Sequence, residues 1–386
     1  MSGIPSMTGR KKIQSWLALS LVPGMGPVTC NKLVAHFGSP EKVLAASSPN
    51  LTAVASLRKE SLAALSGEGR QHLEELANKE IERAAEKNIA IIPCDDPLYP
   101  ALLKNIHDPP VVLYVLGAPE LLTCRGMGIV GSRAATHYGK DIAQQMAGSL
   151  SRQGFTIISG LALGIDTAAH NGALAAEGKT IAVLGCGLDI VYPPSNHNLY
   201  KRIASAGAVV SEYPLGTKPD SFRFPARNRI ISGLSLGIVV VEAANRSGSL
   251  ITASHALEQG REVFAVPGRI DSVKSAGTHT LLQQGAKLVH SINDIVEEFP
   301  ANVFQQSVEE AGMEEDEQVF FENLSQEEAE LFEFIGVYPR TFDEIIKESG
   351  FTAQRTNEVL LLLELKGMVQ TLPGKSYQRV TSLSSK

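Results

Sequence analysis

Between residues 126 and 299, short apolar runs alternate with amphipathic stretches of helical length. The runs 127–130, 155–158, 180–184, 208–211, 237–241, 263–266 and 287–290 are bounded by turn-forming residues, which predicts strands. The stretches 136–152, 165–176, 196–206 and 250–259 space their apolar residues for helices. Regular alternation of this kind predicts an α/β fold, a doubly wound, mainly parallel sheet with helices on both faces. In such a sheet a ligand sits outside the carboxyl ends of the strands, where the strand order reverses.

Upstream, residues 11–87 carry helical spacing cut by Gly24, Gly26, Pro40 and Pro49, which predicts several short helices. Two further apolar runs, 89–92 and 111–116, flank a proline-rich connector at 93–110 and read as strands at a domain seam. Downstream, helical patterns at 327–335, 342–348 and 352–366 precede runs at 368–371 and 377–380 that flank Pro373-Gly374. That order predicts a helix-turn-helix with a β-wing. Between the two parts, residues 301–330 hold ten acids and no Lys or Arg, the pattern of a solvated linker. The expected division is therefore 1–88 helical, 89–300 α/β, 301–324 acidic linker and 325–386 winged helix.

Composition excludes several classes. A 44% hydrophobic share with 20% charged residues argues against whole-chain disorder. Cys30, Cys94, Cys124 and Cys186 include no C-x-x-C pair, so neither a zinc knuckle nor a disulfide framework is expected. No apolar stretch approaches the ~20 residues that span a bilayer, and residues 13–22 lack the features of a secretory signal. A cytoplasmic protein without membrane insertion is expected. The formal net charge of −6 argues at first against a polyanionic partner. The acids of 301–330 account for it, because the remaining residues hold 35 bases against 31 acids.

The literal G-x-G-x-x-G at 126–131 contains the first predicted strand instead of coming after it, so it does not predict dinucleotide binding. No P-loop is present either. Gly131-Ser132-Arg133 comes directly after that strand: glycine admits a ligand close to the backbone, serine donates, and arginine grips phosphate bidentately. The next junction, Ser159-Gly160-Leu161-Ala162-Leu163-Gly164-Ile165-Asp166, repeats the theme, as do Gly185-Cys186-Gly187-Leu188-Asp189 and Asn245-Arg246-Ser247-Gly248-Ser249. Several donor-rich turns on one sheet edge predict an extended anionic ligand. Residues 217–229 add Lys218, Arg223, Arg227 and Arg229 against Asp220, interleaved with Phe222 and Phe224. A cationic track beside aromatics is how single strands are held without sequence preference. Core packing and base stacking both remain open for the two Phe, whereas Arg227-Asn228-Arg229, taken to begin a helix, favours a phosphate or positioning role.

Catalytic candidates are Asp166, His170, Glu212 and Glu242, all near strand ends. Asp166 and His170 are spaced to meet on one helix face, with a buried, hydrogen-bonded His as the plainer reading. No Ser/His/Asp order or metal-ligand spacing emerges, and no cofactor is expected. The hairpin at 22–27 fits a weak phosphate contact, helix packing or a partner contact. In the winged segment, Arg355 shares its helix with Glu358 and Glu364, which favours protein contact over groove reading.

The residues 131–133, 159–166, 187–193, 211–214, 224–234, 241–243, 247–253 and 263–268 together resemble the DNA-processing protein A (DprA/Smf) family, over most of residues 90–300. The resemblance implies an N-terminal helical domain of the SAM/helix-hairpin-helix type, a central extended Rossmann-like domain and a C-terminal winged helix. It implies a homodimer that coats incoming single-stranded DNA in natural transformation, protects it and loads RecA, without enzymatic chemistry. Gly131, Ser132, Arg133, Ser159, Gly160, Lys218, Phe222, Arg227, Arg229, Ser247, Gly248 and Ser249 are the expected contacts. One departure is that Pro194 and Ser195 come after Tyr192-Pro193, where many relatives carry a basic residue. The rival reading is a nucleotide N-glycosidase of the same superfamily, but the loop 246–253 lacks the Pro-Gly-Gly-x-Gly-Thr-x-x-Glu signature of those enzymes. A double-strand regulator acting through the winged helix is the third reading.

Overall fold

The computed structural model describes residues 7–299, 325–335, 340–366, 368–372 and 376–379. The expected linker at 301–324 and the Pro373-Gly374 turn lie outside the described residues. Two compact units are present, 1–306 and 307–386.

In the first unit all nine expected strands form: β1 (Ile89–Pro93), β2 (Val112–Gly117), β3 (Gly126–Val130), β4 (Thr156–Ser159), β5 (Thr180–Leu184), β6 (Ala208–Ser211), β7 (Gly237–Val240), β8 (Glu262–Ala265) and β9 (Lys287–Leu288). They make one sheet in the order β1-β2-β6-β5-β4-β3-β7-β8-β9. From β6 to β9 every neighbour is parallel, while β2 joins β6 and β1 joins β2 antiparallel. The order reverses between β3 and β7, which is the switch point of a doubly wound sheet.

Both faces of the sheet are covered, as a parallel sheet requires. Side chains alternate between two cores: Met127, Ile157 and Val239 enter one, Val130, Ile158 and Val240 the other. Helices α8 (His137–Arg152) and α9 (Ile165–Ala175) bury Ala143, Ala147, Leu150 and Ala169 in the first. Helices α11 (Arg223–Gly233) and α12 (Gly248–Glu258) bury Ile230, Ile231, Ala253 and Ala256 in the second. The second core continues without a break into the N-terminal helices α1 (Met7–Ser20), α2 (Pro27–Phe37), α3 (Pro40–Ala45), α4 (Ser48–Val54), α5 (Lys59–Ala64) and α6 (Gly67–Glu86) through Trp16, Leu33, Leu51 and Leu73. Short helices α7 (Ala101–Lys104), α10 (His197–Ala206), α13 (Ala276–Gln283) and α14 (Asn293–Val296) complete the unit. Cys30, Cys94 and Cys186 are buried free thiols. Among the described residues no helix is long and apolar enough to cross a membrane.

The second unit contains α15 (Gln326–Glu333), α16 (Phe342–Ser349) and α17 (Ala353–Leu365). Its strands are β10 (Arg340–Thr341), β11 (Val369–Leu372) and β12 (Ser376–Arg379), ordered β10-β12-β11. Reciprocal capping boxes, Ser325 with Glu328 and Thr341 with Glu344, start α15 and α16, each satisfying two otherwise orphaned backbone donors. Leu331, Ile345, Val359, Leu360 and Leu363 form its core. The two-residue β10 was not expected from the sequence, being too short to show a period.

Candidate nucleic-acid interface

At the switch point, β3 runs into Gly131-Ser132-Arg133. The loop is drawn tightly across the sheet: Ser132 N–H donates to the Glu242 carbonyl (2.7 Å), and Ile165 N–H donates to the Ser132 carbonyl (3.2 Å). A Cβ at Gly131 would lie 2.6 Å from Ile165 Cγ1 and 2.9 Å from the Glu242 carbonyl, so only glycine fits. Arg133 is thereby left exposed, with its guanidinium 5.5 Å from the centre of the Phe224 ring. Phe224 stacks in turn on Tyr192, with centroids 5.4 Å apart and planes 28° apart. Cation and rings attract through the ring quadrupole, and the layer offers a π-face to a base.

This layer borders a cavity of about 740 Å³. Gly131, Ser132 and Arg133 line one part of it; Arg246, Ser247, Gly248 and Ser249 line another. Ser247 caps α12, accepting from Ser249 N–H (3.4 Å), and its hydroxyl lies 2.7 Å from that of Ser249. The positive end of the α12 dipole therefore opens on the cavity together with two hydroxyls and two arginines, an arrangement suited to phosphate.

Asp166 and Arg227 also line the cavity, and both are buried. Asp166 accepts from the N–H groups of Gly160 (3.1 Å) and Ala162 (3.4 Å). Burial pushes its pKa up while Arg227 pulls it down. Arg227 donates to the carbonyls of Gly160 (2.9 Å) and Val183 and to Asn228 Oδ1 (3.2 Å). Burial lowers its pKa to about 10, so it is charged at neutral pH. A Cβ at Gly160 would lie 2.6 Å from that guanidinium; glycine there makes room for Arg227 beneath the β4 turn.

Two expected contacts, Arg229 and Ser159, need correction, and three others, Arg227, Lys218 and Phe222, sit differently from the sequence reading. Helix α11 begins at Arg223 and not at Arg227, which sets Arg227 and Arg229 one turn deeper than expected. Arg229 is only 5% exposed and is spent on a forked pair with Glu212 (2.9 and 2.7 Å) and a bond to Asp108 (2.8 Å), so it holds the fold and faces no ligand. Ser159 is fully buried and donates to the Ile129 carbonyl (2.7 Å). Lys218 and Phe222 are exposed but do not line the cavity, which their neighbours Pro219, Asp220 and Ser221 do. Arg223, with its guanidinium 5.1 Å from the Phe222 ring and 5.3 Å from that of Tyr213, donates to the Lys218 carbonyl.

The catalytic candidates all have structural partners. Glu242 accepts from the Thr136 N–H (2.9 Å) and hydroxyl, fixing the start of α8. Glu212 binds Arg229. His170 does not meet Asp166; its Nδ1 lies 2.7 Å from the Thr180 hydroxyl, which itself donates to the Ile157 carbonyl. Elsewhere, the 22–27 hairpin packs on α5, its Pro23 carbonyl accepting from Ser61 (2.7 Å). In the second unit, Arg355 is held by Glu327 and Glu358, and α17 exposes Leu361, Leu362 and Leu365.

Sequence reasoning left Tyr192, Phe224 and Arg246 out of the expected contacts. The available signal was position: each lies on, or just beyond, a loop at the carboxyl edge.

Glycine- and serine-rich turns on both sides of a switch point, with exposed arginines and stacked aromatics around one cavity, make up the carboxyl edge of a Rossmann-like sheet, with a chemistry suited to an anion. The chain belongs to the DNA recombination-mediator protein A family, whose model matches residues 90–300. A DprA winged helix domain matches residues 322–375. The chain is 36% identical to Protein Smf of Synechocystis, over 94% of this chain and 98% of that one. It is 47% identical to DNA processing protein DprA of Bacillus subtilis, over 56% of this chain and 73% of that one. Among solved structures it resembles DNA processing protein A of Streptococcus pneumoniae, with a TM-score of 0.66 and 36% identity over 75% of this chain and 99% of that one. The Helicobacter pylori protein, described for its single-stranded DNA binding mode, gives a TM-score of 0.50 at 32% identity over 54% of this chain and 94% of that one. These relatives place the chain in DNA processing and recombination mediation.

Proposed function

We propose that this protein holds single-stranded DNA along the carboxyl edge of β5, β4, β3 and β7 and delivers it, as a homodimer in the cytoplasm, to RecA. It acts by binding and not by catalysis. The observation that carries the reading is the Arg133–Phe224–Tyr192 layer beside the α12 start: it pairs a phosphate cradle with a base-stacking face, the combination that single strands require. The binding described for the Helicobacter pylori relative supports the same assignment. In this reading Gly131, Ser132, Arg133, Arg246, Ser247, Gly248 and Ser249 meet phosphates, while Phe224, Tyr192 and Phe222 meet bases. Lys218 extends the cationic track, and Gly160 and Arg227 shape its floor. Residues 89–300 carry the strand, 1–88 buttress them, 301–324 tether and 325–386 serve protein contact.

Gel-shift competition between single- and double-stranded DNA of equal length tests the proposal. Single strands should displace a bound single-stranded probe far better than duplex, with affinity falling at a log–log salt slope of about −0.7 per phosphate contact. Equal competition by duplex would overturn it.

A further inference from the structure

The loop that carries Lys218 and Phe222 is fastened to the N-terminal helices. Glu80 of α6 is buried, 5% exposed, and its Oε1 accepts from Leu215 N–H (2.6 Å). Arg83, one turn further along α6, donates to Glu80 Oε2 (3.1 Å) and to the Leu215 carbonyl (3.3 Å), so both backbone groups of Leu215 are taken by one helix. Arg83 also reaches Asp189 (3.6 Å) on the loop after β5, and Asp189 Oδ1 accepts from Gly216 N–H (2.7 Å). Gly187 N–H closes the cluster by donating to the Thr217 carbonyl (2.9 Å). Two turns of the carboxyl edge, 187–189 and 215–217, are thus tied to each other and to α6 directly before Lys218.

We propose that Glu80 and Arg83 are positioning residues for single-stranded DNA: they lock the 213–222 loop so that Lys218 and Phe222 stand ready beside the cavity. This rests on the strand-binding reading above. Without the lock the loop must be ordered when DNA binds, and that ordering lowers affinity although no DNA contact has been removed. A buried carboxylate that bonds backbone 135 residues away is costly to leave unpaired, so the tie favours the ordered loop.

Amide exchange on DNA-free protein and DNA affinity together test it. In Glu80→Ala, amides of 213–222 should lose protection while those of β3 and β4 keep theirs, and the Kd for single-stranded DNA should rise about fivefold. The effect should be non-additive with Lys218→Ala, because both act through one loop, and additive with Arg133→Ala. Arg83→Ala, whose side chain is half exposed, is the second variant should Glu80→Ala fold poorly, and it should show the same pattern at smaller size. Unchanged protection in folded variants overturns the lock whatever the protein binds. Lost protection with unchanged affinity overturns its role toward DNA. Failure of the wild-type protein to bind single strands would instead sink the function proposed above, leaving the exchange result to judge the lock alone.

Discussion

Arg133 and Arg229 look alike in sequence, each a cation directly after a small polar residue, Ser132 and Asn228, yet they occupy opposite kinds of place. Arg133 stands in solvent over an aromatic ring, held by no acid among the described residues. Arg229 is sealed in α11 between Glu212 and Asp108. The difference is one of layers: groups on the carboxyl edge are available to a ligand, and groups directly beneath it, Arg227 and Asp166 among them, are consumed in holding the turns. A cation contributes to binding only if its charge is not already neutralised. Substitutions in the lower layer should therefore register as lost stability, and those in the upper layer as lost DNA affinity.

The largest effect is expected from Arg229→Ala. Removing the arginine leaves the nearly buried Glu212 carboxylate, 12% exposed, without its partner, and breaking such a pair costs about 3–5 kcal/mol. For a unit of this size that is a fall in Tm of roughly 10 °C. Well below the melting transition, the folded variant should still bind single strands. A variant that melts like wild type but no longer binds DNA would put Arg229 on the ligand surface and erase the distinction.

A smaller effect should appear with pH. His170 is fully buried, and that burial, reinforced by Arg227, lowers its pKa to about 3. The unfolded chain takes up the proton near pH 6.5 and the native state does not. The contribution of the neutral ring is thus complete above pH 6.5, falls by up to about 1.4 kcal/mol per pH unit below it, and levels off near pH 3. Asp166 works in the other direction, since its raised pKa favours the native state at low pH and loses that contribution as pH rises. Comparing wild type with His170→Asn isolates the histidine, because Asp166 is common to both and the Asn amide can still donate toward Thr180. From pH 7.5 to 5, urea melts should show wild type losing about 2 kcal/mol more than the variant. Parallel losses would mean that the ring is protonated in the native state.

The upper layer was largely legible in the sequence, and the lower was not. Strands such as 180–184 and 208–211 announce themselves by short apolar runs between turn residues, and the topology rule then points to one edge. Pairing across the chain leaves no such mark: Arg229 and Asp108 are 121 residues apart, and Tyr192 and Phe224 come from different loops. The start of α11 misled for a local reason. Pro225 disfavours helical geometry in the residue before it, which suggests a helix starting later. In the structure Pro225 occupies the first turn, where its missing N–H has no helical partner to lose. That shift of one turn carried Arg227 and Arg229 from the surface into the core.

Two exposed arginines put the distinction between available and consumed cations most sharply. Arg133→Ala should weaken single-strand binding roughly tenfold at every sequence, the worth of one charge-assisted contact. It should also make the salt slope shallower by about 0.7, with stability changed by no more than about 0.5 kcal/mol. Arg355 is equally cationic, near the start of a helix in a winged unit where a groove reader would place it. It is already held by Glu327 and Glu358, and the exposed side chains further along α17 include Leu361, Leu362 and Leu365. Arg355→Ala should therefore change single-strand affinity by less than about twofold, since surface pairs of this kind are worth ~1 kcal/mol or less and none of it goes to the ligand. Polarisation titrations of both variants across a salt series decide the matter. A loss in Arg355→Ala that matches Arg133→Ala would mean that α17 shares the strand, and that pairing with acids does not withdraw a cation from DNA in this protein.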